Sequence, residues 1–296
     1  MSVITTVEFV PSRMMGVFRY LLSIKGHIES RDRLQHLLSP AREKRDMISD
    51  VINEMVQMGL CVKTKADDGD TQIALAPETL DYYGRKNFDL SRLKLLMLRC
   101  LLGNLGDESN TRNHDFCLHL TWFLSQDPFT PLGNQDEIIA RLQQAFGDHP
   151  LIIRSNLRYE NFRYWARFLG FGWEYELPGK PAVFVPDPRE YLQLSLAELF
   201  GADHRLTMKE FIGRLLNACP LFPGGRWHTE AGEAVMQTPS AVHLPRSLGY
   251  ALLQLRDEGV VRLEKQSDAP YHMIIEEDGA PQNYAFIELV SGKRGK

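Results

Sequence analysis

Within one short stretch of this 296-residue chain stand Arg154, Arg158, Arg163 and Arg167, interleaved with Tyr159, Tyr164 and Trp165. Guanidinium groups grip phosphate oxygens through paired hydrogen bonds, and aromatic faces stack on bases, so the combination suits nucleic-acid contact. Helical spacing puts Arg163 and Arg167 one turn apart on one face and turns Phe162, Trp165 and Leu169 inward. Only Glu160 opposes the arginines along this helix, and Lys180 follows in the turn Pro178-Gly179-Lys180-Pro181. The expected nucleic-acid-binding set is therefore Arg154, Arg158, Arg163, Arg167 and Lys180. The alternative for the same arginines is pairing with Glu174, Glu176 or other acids, or packing on rings.

Other chemistry is thinly represented. His114, Cys117 and His119 are metal-ligand types, but zinc takes three or four ligands, usually from two segments. No second Cys/His pair accompanies them, and Cys117 and His119 point to different sides of a helix. A structural role and no metal are expected. No G-x-x-x-x-G-K-[ST] loop occurs, and Gly224-Gly225-Arg226-Trp227 lacks the lysine and hydroxyl that hold phosphate and magnesium. G-x-S-x-G and H-E-x-x-H are absent too. The acids Asp67/Asp68 and Glu276/Glu277/Asp278 fall near expected hairpin tips, where water solvates them. The expectation is a protein without enzymatic activity or cofactor.

The elements that carry these residues follow one repeated grammar. Leu248, Ala251, Leu252 and Leu255 form a helical stripe, Gly259 closes the helix, and Val260, Val261 and Leu263 start a strand. A polar tip follows, with the return strand expected at Tyr271 to Ile275. Near the N-terminus Ile48, Val51, Ile52 and Met55 form the stripe, Gly59 ends it, and Leu60 to Thr64 and Thr71 to Ala76 flank Asp68-Gly69. Pro11 starts an earlier helix and Ser30 caps a second one. Asn156 is a candidate cap for the arginine-bearing helix, Gly170 stops it, and Phe171 to Leu177 and Ala182 to Val185 read as strands. Glu78 to Leu90 reads as a connector and Pro220 to Arg226 as a loop. Thr207 with Glu210 is a capping box.

The predicted class is mainly α with small β-wings: tandem winged-helix domains flanking a helical middle region. The domains are residues 1–88, 89–202 and 203–296, with a degenerate third copy at 151–188. Hydrophobic content of 44% and charged content of 24% fit a soluble globular chain. No apolar run approaches the roughly 18 residues of a membrane span. No secretion signal opens the chain, and four scattered cysteines suit a reduced cytoplasmic setting. A net charge of −4 argues against a surface wholly built for nucleic acid. The terminal helices that a winged helix would present are mixed. Lys44, Arg45, Ser49, Asn53 and Gln57 share theirs with Asp46, Asp50 and Glu54. His243, Arg246, Gln254 and Arg256 are followed by Asp257 and Glu258. Both faces read as protein contacts or solvated surfaces rather than phosphate binders.

"VPSRMMGVFRYLLSIKGHIESRDRLQHLLSP", "HLTWFLSQDPFTPLG" and "RYWARFLGFGW" resemble, in order and spacing, the DpdG family. The resemblance covers Pro11 to about Pro188. It implies a cytoplasmic bacterial component of the anti-phage system that places 7-deazaguanine derivatives in DNA and restricts unmodified DNA. Its partners would be helicase- and nuclease-like proteins of that defence complex, and it lends no catalytic residues. The expected function is an adaptor in that complex that touches DNA through the basic middle helix. The alternatives are a sequence-specific transcription regulator of the same gene cluster and a nuclease-complex subunit.

Overall fold

Pro11 opens the first helix, α1 (Pro11–Ser23), because its fixed φ and missing N–H suit the first helical position. A 3-10 turn at Lys25–His27 and strand β1 (Ile28–Ser30) follow. Ser30 Oγ accepts from the Arg33 amide at 3.2 Å and starts α2 (Arg31–Leu38), as its side chain predicts. After these come α3 (Met47–Gln57), β2 (Cys61–Lys65), β3 (Thr71–Leu75), α4 (Pro77–Tyr83), α5 (Leu90–Leu102), α6 (His114–Ser125) and α7 (Gln135–Phe146). Then follow α8 (Asn156–Phe168), β4 (Gly172–Tyr175), β5 (Val183–Pro186), α9 (Arg189–Phe200), β6 (Arg205–Thr207) and α10 (Met208–Ala218). The last elements are α11 (Arg226–Ala231), α12 (Arg246–Asp257), β7 (Val261–Lys265), β8 (Met273–Ile275) and β9 (Pro281–Leu289). This computed structural model describes residues 2–39, 47–67, 69–84, 87–103, 112–130, 132–149, 152–176, 178–179, 182–235, 244–266, 273–275 and 281–290. Among them no helix is long and apolar enough to cross a membrane.

Contacts divide the chain into two units. One comprises residues 1–113 with 160–169, the other 114–159 with 170–296. In the first, β3 lies between β1 and β2, antiparallel to both. Met14, Val17, Phe18 and Leu21 of α1 meet Val51, Ile52 and Met55 of α3 in a core that also buries Leu34 and Ile73. The stripe read from sequence on α3 is thus the buried one. Gly59, at φ 75°, ends α3. Its amide donates to Val56 O at 3.1 Å, and the Leu60 amide reaches back to Met55 O at 2.9 Å. These two bonds define a Schellman stop, which needs a left-handed residue and so favours glycine. The Ala76 amide then donates to Leu60 O at 2.9 Å, closing the hairpin on the helix end.

The second unit repeats that closure. Gly259, at φ 72°, donates to Arg256 O at 2.9 Å, Val260 to Leu255 O at 2.9 Å, and Val290 to Val260 O at 3.0 Å. Strand order is β6-β9-β7, with the long return strand again in the middle. Leu248, Ala251, Leu252 and Leu255 are all buried, as the stripe requires. Thr207 Oγ1 accepts from the Glu210 amide while Glu210 Oε2 accepts from the Thr207 amide at 2.9 Å, completing the expected capping box. α6 is buried from Asp115 to Leu124 and so forms an interior helix of this unit.

The structure departs from the sequence reading at four places. The strand that returns against β7 is β9, whereas β8 pairs only with the first residues of β9. Within β9, Tyr284, Ala285 and Ile287 are buried, so the longer run supplies the apolar surface that the central position needs. The stretch read as a connector contains α4, stopped at Gly84 with φ 88°. The helix α11, which begins at the end of the segment read as a loop, was not anticipated. The third hairpin is present as β4 and β5, paired antiparallel, and is shorter than its sequence suggests. Lys44, Arg45, Asp46, Asp68, His243 and the acids at 276–278 lie outside the described residues.

Leu252 has no accessible surface. Its replacement by Ala should destabilise the second unit by about 2–5 kcal/mol in urea unfolding. A change within about ±0.5 kcal/mol, the range of surface positions, would place the residue on the wrong side of α12.

Candidate nucleic-acid interface

The arginine-bearing helix starts one residue earlier than its expected cap. Ser155, not Asn156, caps it: Ser155 Oγ accepts from the Arg158 amide at 3.4 Å, and Asn156 is the first helical residue. Arg154 therefore precedes α8 instead of lying along it. Its guanidinium sits 3.8 Å from Asp148 in a surface pair, which contributes little. Gly170, at φ 83°, ends the helix, and a Cβ there would come within 2.8 Å of the Tyr191 amide nitrogen.

The division between the two units passes through α8, after Tyr159. Within the first unit, the rotational setting of the helix is fixed by its inner face. Trp165 is fully buried, its Nε1 donates to Phe9 O at 3.0 Å, and its ring lies 5.2 Å from that of Phe9. Asn161 Nδ2 adds a bond to Thr6 O at 3.4 Å. Phe162, Ala166 and Leu169 are buried beside them. Tyr164 and Arg167 consequently face outward and are exposed. Arg163 is half-buried and paired with Glu160 at 2.6 Å, so part of its charge is already compensated. Arg158 is exposed. At 3.6 residues per turn it is rotated about 140° around the helix axis from Arg163.

The expected set is thus dispersed. Arg163 and Arg167 share a face, Arg158 points elsewhere, Arg154 is off the helix, and Lys180 lies outside the described residues. The aromatic partners are reduced as well. Tyr159 and Trp165 are buried, which leaves Tyr164, 45% exposed, as the ring on α8 that a base could reach. One exposed aromatic escaped the sequence reading. Trp173, 48% exposed, stands on β4 with the Tyr175 ring 5.6 Å away. Two-residue alternation could have found it: Trp173 and Tyr175 share one strand face, while Phe184 on the paired strand turns inward and stacks on Phe123 at 4.4 Å.

A family model described as DpdG-like matches residues 1–269. The chain belongs to the DpdG-like family. No match was found among curated proteins. Membership connects the chain with the Dpd-type defence system and lends it no catalytic residues.

The histidines and cysteines of α6 have structural surroundings. Both ring nitrogens of buried His119 are committed to backbone: Nδ1 donates to Asp115 O, and Nε2 accepts from the Ile153 amide at 3.0 Å. Cys117 is buried, and burial raises its thiol well above the ordinary range. Burial likewise pushes Cys61, Cys100 and Cys219 up to about 12, so none offers a thiolate at neutral pH. His114 Nε2 lies 2.7 Å from Glu230 Oε1, off the hydrogen-bonding direction, and its ring packs edge-on against Trp227 at 5.2 Å. Among the described residues no group of three or more His, Cys, Asp or Glu could hold a metal ion.

Burial lowers the His119 pKa to about 4, against an unfolded value near 6.5. The unfolded chain therefore takes up this proton first, and the stabilisation, complete above the unfolded value, is lost as pH falls toward 4. Between pH 7 and pH 5 the residue alone should remove about 2 kcal/mol of stability. Urea unfolding of the wild type and of His119→Gln, which does not titrate, should diverge by that amount. Parallel pH profiles would contradict the neutral, doubly bonded imidazole.

Proposed function

We propose that the chain is a non-enzymatic, cytoplasmic adaptor of a bacterial DNA-modification and restriction complex that acts against phage. In this reading it touches DNA through the outward arginines of α8 and binds other proteins of the complex. Family membership supports the defence setting. The contact to DNA rests chiefly on one observation: the buried Trp165 side of α8 holds Tyr164 and Arg167 outward together. Arginine at an exposed helix face neutralises phosphate and releases its counterions, while a neighbouring ring offers a stacking surface.

The architecture is read as tandem winged helices at residues 1–88 and 203–296, flanking a helical middle at 89–202 with a reduced copy at 151–188. Shared element order supports it: in both terminal segments a short strand and further helices, preceded by α1 in the first and by α9, just before residue 203, in the second, lead to a glycine-stopped hairpin whose return strand is central. No cofactor enters this function.

The test is duplex and single-stranded DNA binding by fluorescence anisotropy over a salt series. Replacing Arg158, Arg163 and Arg167 by Ala should flatten log affinity against log salt by about 2 units. A loss of three is not expected, because Glu160 already compensates part of Arg163. The affinity loss should be similar for unrelated sequences, since phosphate contacts position a protein without reading bases. An unchanged slope in the folded variant would assign the arginines to a protein interface.

A further inference from the structure

Read as a string, α3 looks unsuited to phosphate because Asp50 and Glu54 share it with Ser49, Asn53 and Gln57. The fold changes that balance. Glu54 is 3% exposed; its Oε1 accepts from Thr6 Oγ1 at 3.3 Å, and its Oε2 lies 3.4 Å from Arg112 Nη2. Its charge is thus turned inward and faced by a guanidinium supplied 58 residues later.

Residues from two neighbouring elements reach the outward side of α3. Arg31, the first residue of α2, donates through Nη2 to Ser49 Oγ and to Asn53 Oδ1, the latter at 3.3 Å. Lys63, exposed on β2, donates through Nζ to the same Asn53 oxygen at 3.1 Å. The two cationic nitrogens cannot then be more than about 6.4 Å apart. Among the described residues neither has a carboxylate partner, whereas Arg189, Arg205, Arg214 and Arg246 each face one. Two like charges held this close repel one another unless an anion joins them. Because Asn53 Oδ1 accepts from both cations, its amide nitrogen remains the donor side of the group. Arginine, lysine and an amide N–H are matched to the oxygens of a phosphate.

The surroundings narrow the ligand further. Glu8, Asp50 and Glu54 line a cavity of about 210 Å³ that Asn53 and Gln57 also border, and these acids repel an anion from it. An anion is therefore favoured at the Arg31 and Lys63 nitrogens and not in the cavity. Lys63 is exposed and comes from a different element than Arg31, so the group is open to solvent, a shape suited to a polymer backbone more than to an enclosed small ion. We propose that Arg31, Lys63 and Asn53 form a phosphate site that seats a backbone phosphate of duplex DNA. The site rests on the reading that the chain works on DNA, but it uses none of the α8 arginines.

The experiment compares wild type, Arg31→Gln/Lys63→Gln and the triple α8 variant on a fluorescent random duplex, by anisotropy over a salt series. The double variant should flatten the log–log salt slope by about 1 to 2 units with an unchanged melting temperature. Lys63→Arg, which keeps the charge, should retain the wild-type slope. If the double variant does not fold, Lys63→Gln alone, at an exposed strand position, should still flatten it by about 1 unit. Wild-type slope in these folded Gln variants overturns the site, even if the α8 variant loses binding. Loss in the Gln variants with an unaffected α8 variant supports this site and overturns the α8 contact. A wild type that binds no duplex at low salt overturns both. A final arm adds inorganic phosphate at constant ionic strength. Displacement of the duplex at micromolar phosphate, abolished by Arg31→Gln/Lys63→Gln, would make this a small-anion site and overturn the backbone assignment.

Discussion

The buried indole of Trp165 is the contact on which the functional reading of the first unit depends. Its ring has no accessible surface, and its one polar atom is satisfied by Phe9 O at 3.0 Å. Burying that N–H without a partner would cost about 1–3 kcal/mol, so the bond and the packing specify one rotational setting together. Rotating α8 would expose Trp165 and drive charged side chains into the core. The outward placement of Tyr164 and Arg167 is therefore a consequence of core packing. The N-terminal segment takes part as well, because Thr6 and Phe9 supply the carbonyls that receive Asn161 and Trp165.

A second constraint is the paired glycine stop. Gly59 and Gly259 both end a helix in the left-handed region, and the next residue both donates back to the helix and accepts from the end of the return strand. One backbone unit thus fixes where the helix ends, where the hairpin begins and which strand is central. In the first unit this arrangement sets β2 beside α3, and so brings Lys63 to the Asn53 side chain that Arg31 also reaches.

Local signals were legible in the sequence. The stripes on α3 and α12, the glycine stops, the Ser30 cap and the Thr207–Glu210 capping box depend on residues a few positions apart, and each stands where its spacing puts it. What escaped depends on partners far along the chain. β9 displaced β8 as the return strand because it offered a longer apolar face, which no single hairpin pattern reveals. Glu54 reads as a surface acid until Arg112 and Thr6 come to it. Of the candidate site, the inward set Phe162, Trp165 and Leu169 was legible, and so was the shared face of Arg163 and Arg167. The burial of Tyr159 and the exclusion of Arg154 from α8 were not, because both depend on where the helix starts and what covers its first turn.

The claim that the outward face of α8 meets DNA can be tested most directly by photo-crosslinking. Benzoylphenylalanine placed at Tyr164, beside Arg163 and Arg167, should crosslink to duplex DNA at low salt and lose that product in high salt, where counterion release no longer favours binding. The same probe at Phe129, an exposed ring at 55% on the second unit, serves as the reference. A DNA adduct at position 164 well above that at 129 is the expected result. Equal yields at the two positions, or no adduct at 164 from folded protein that binds DNA, would contradict it.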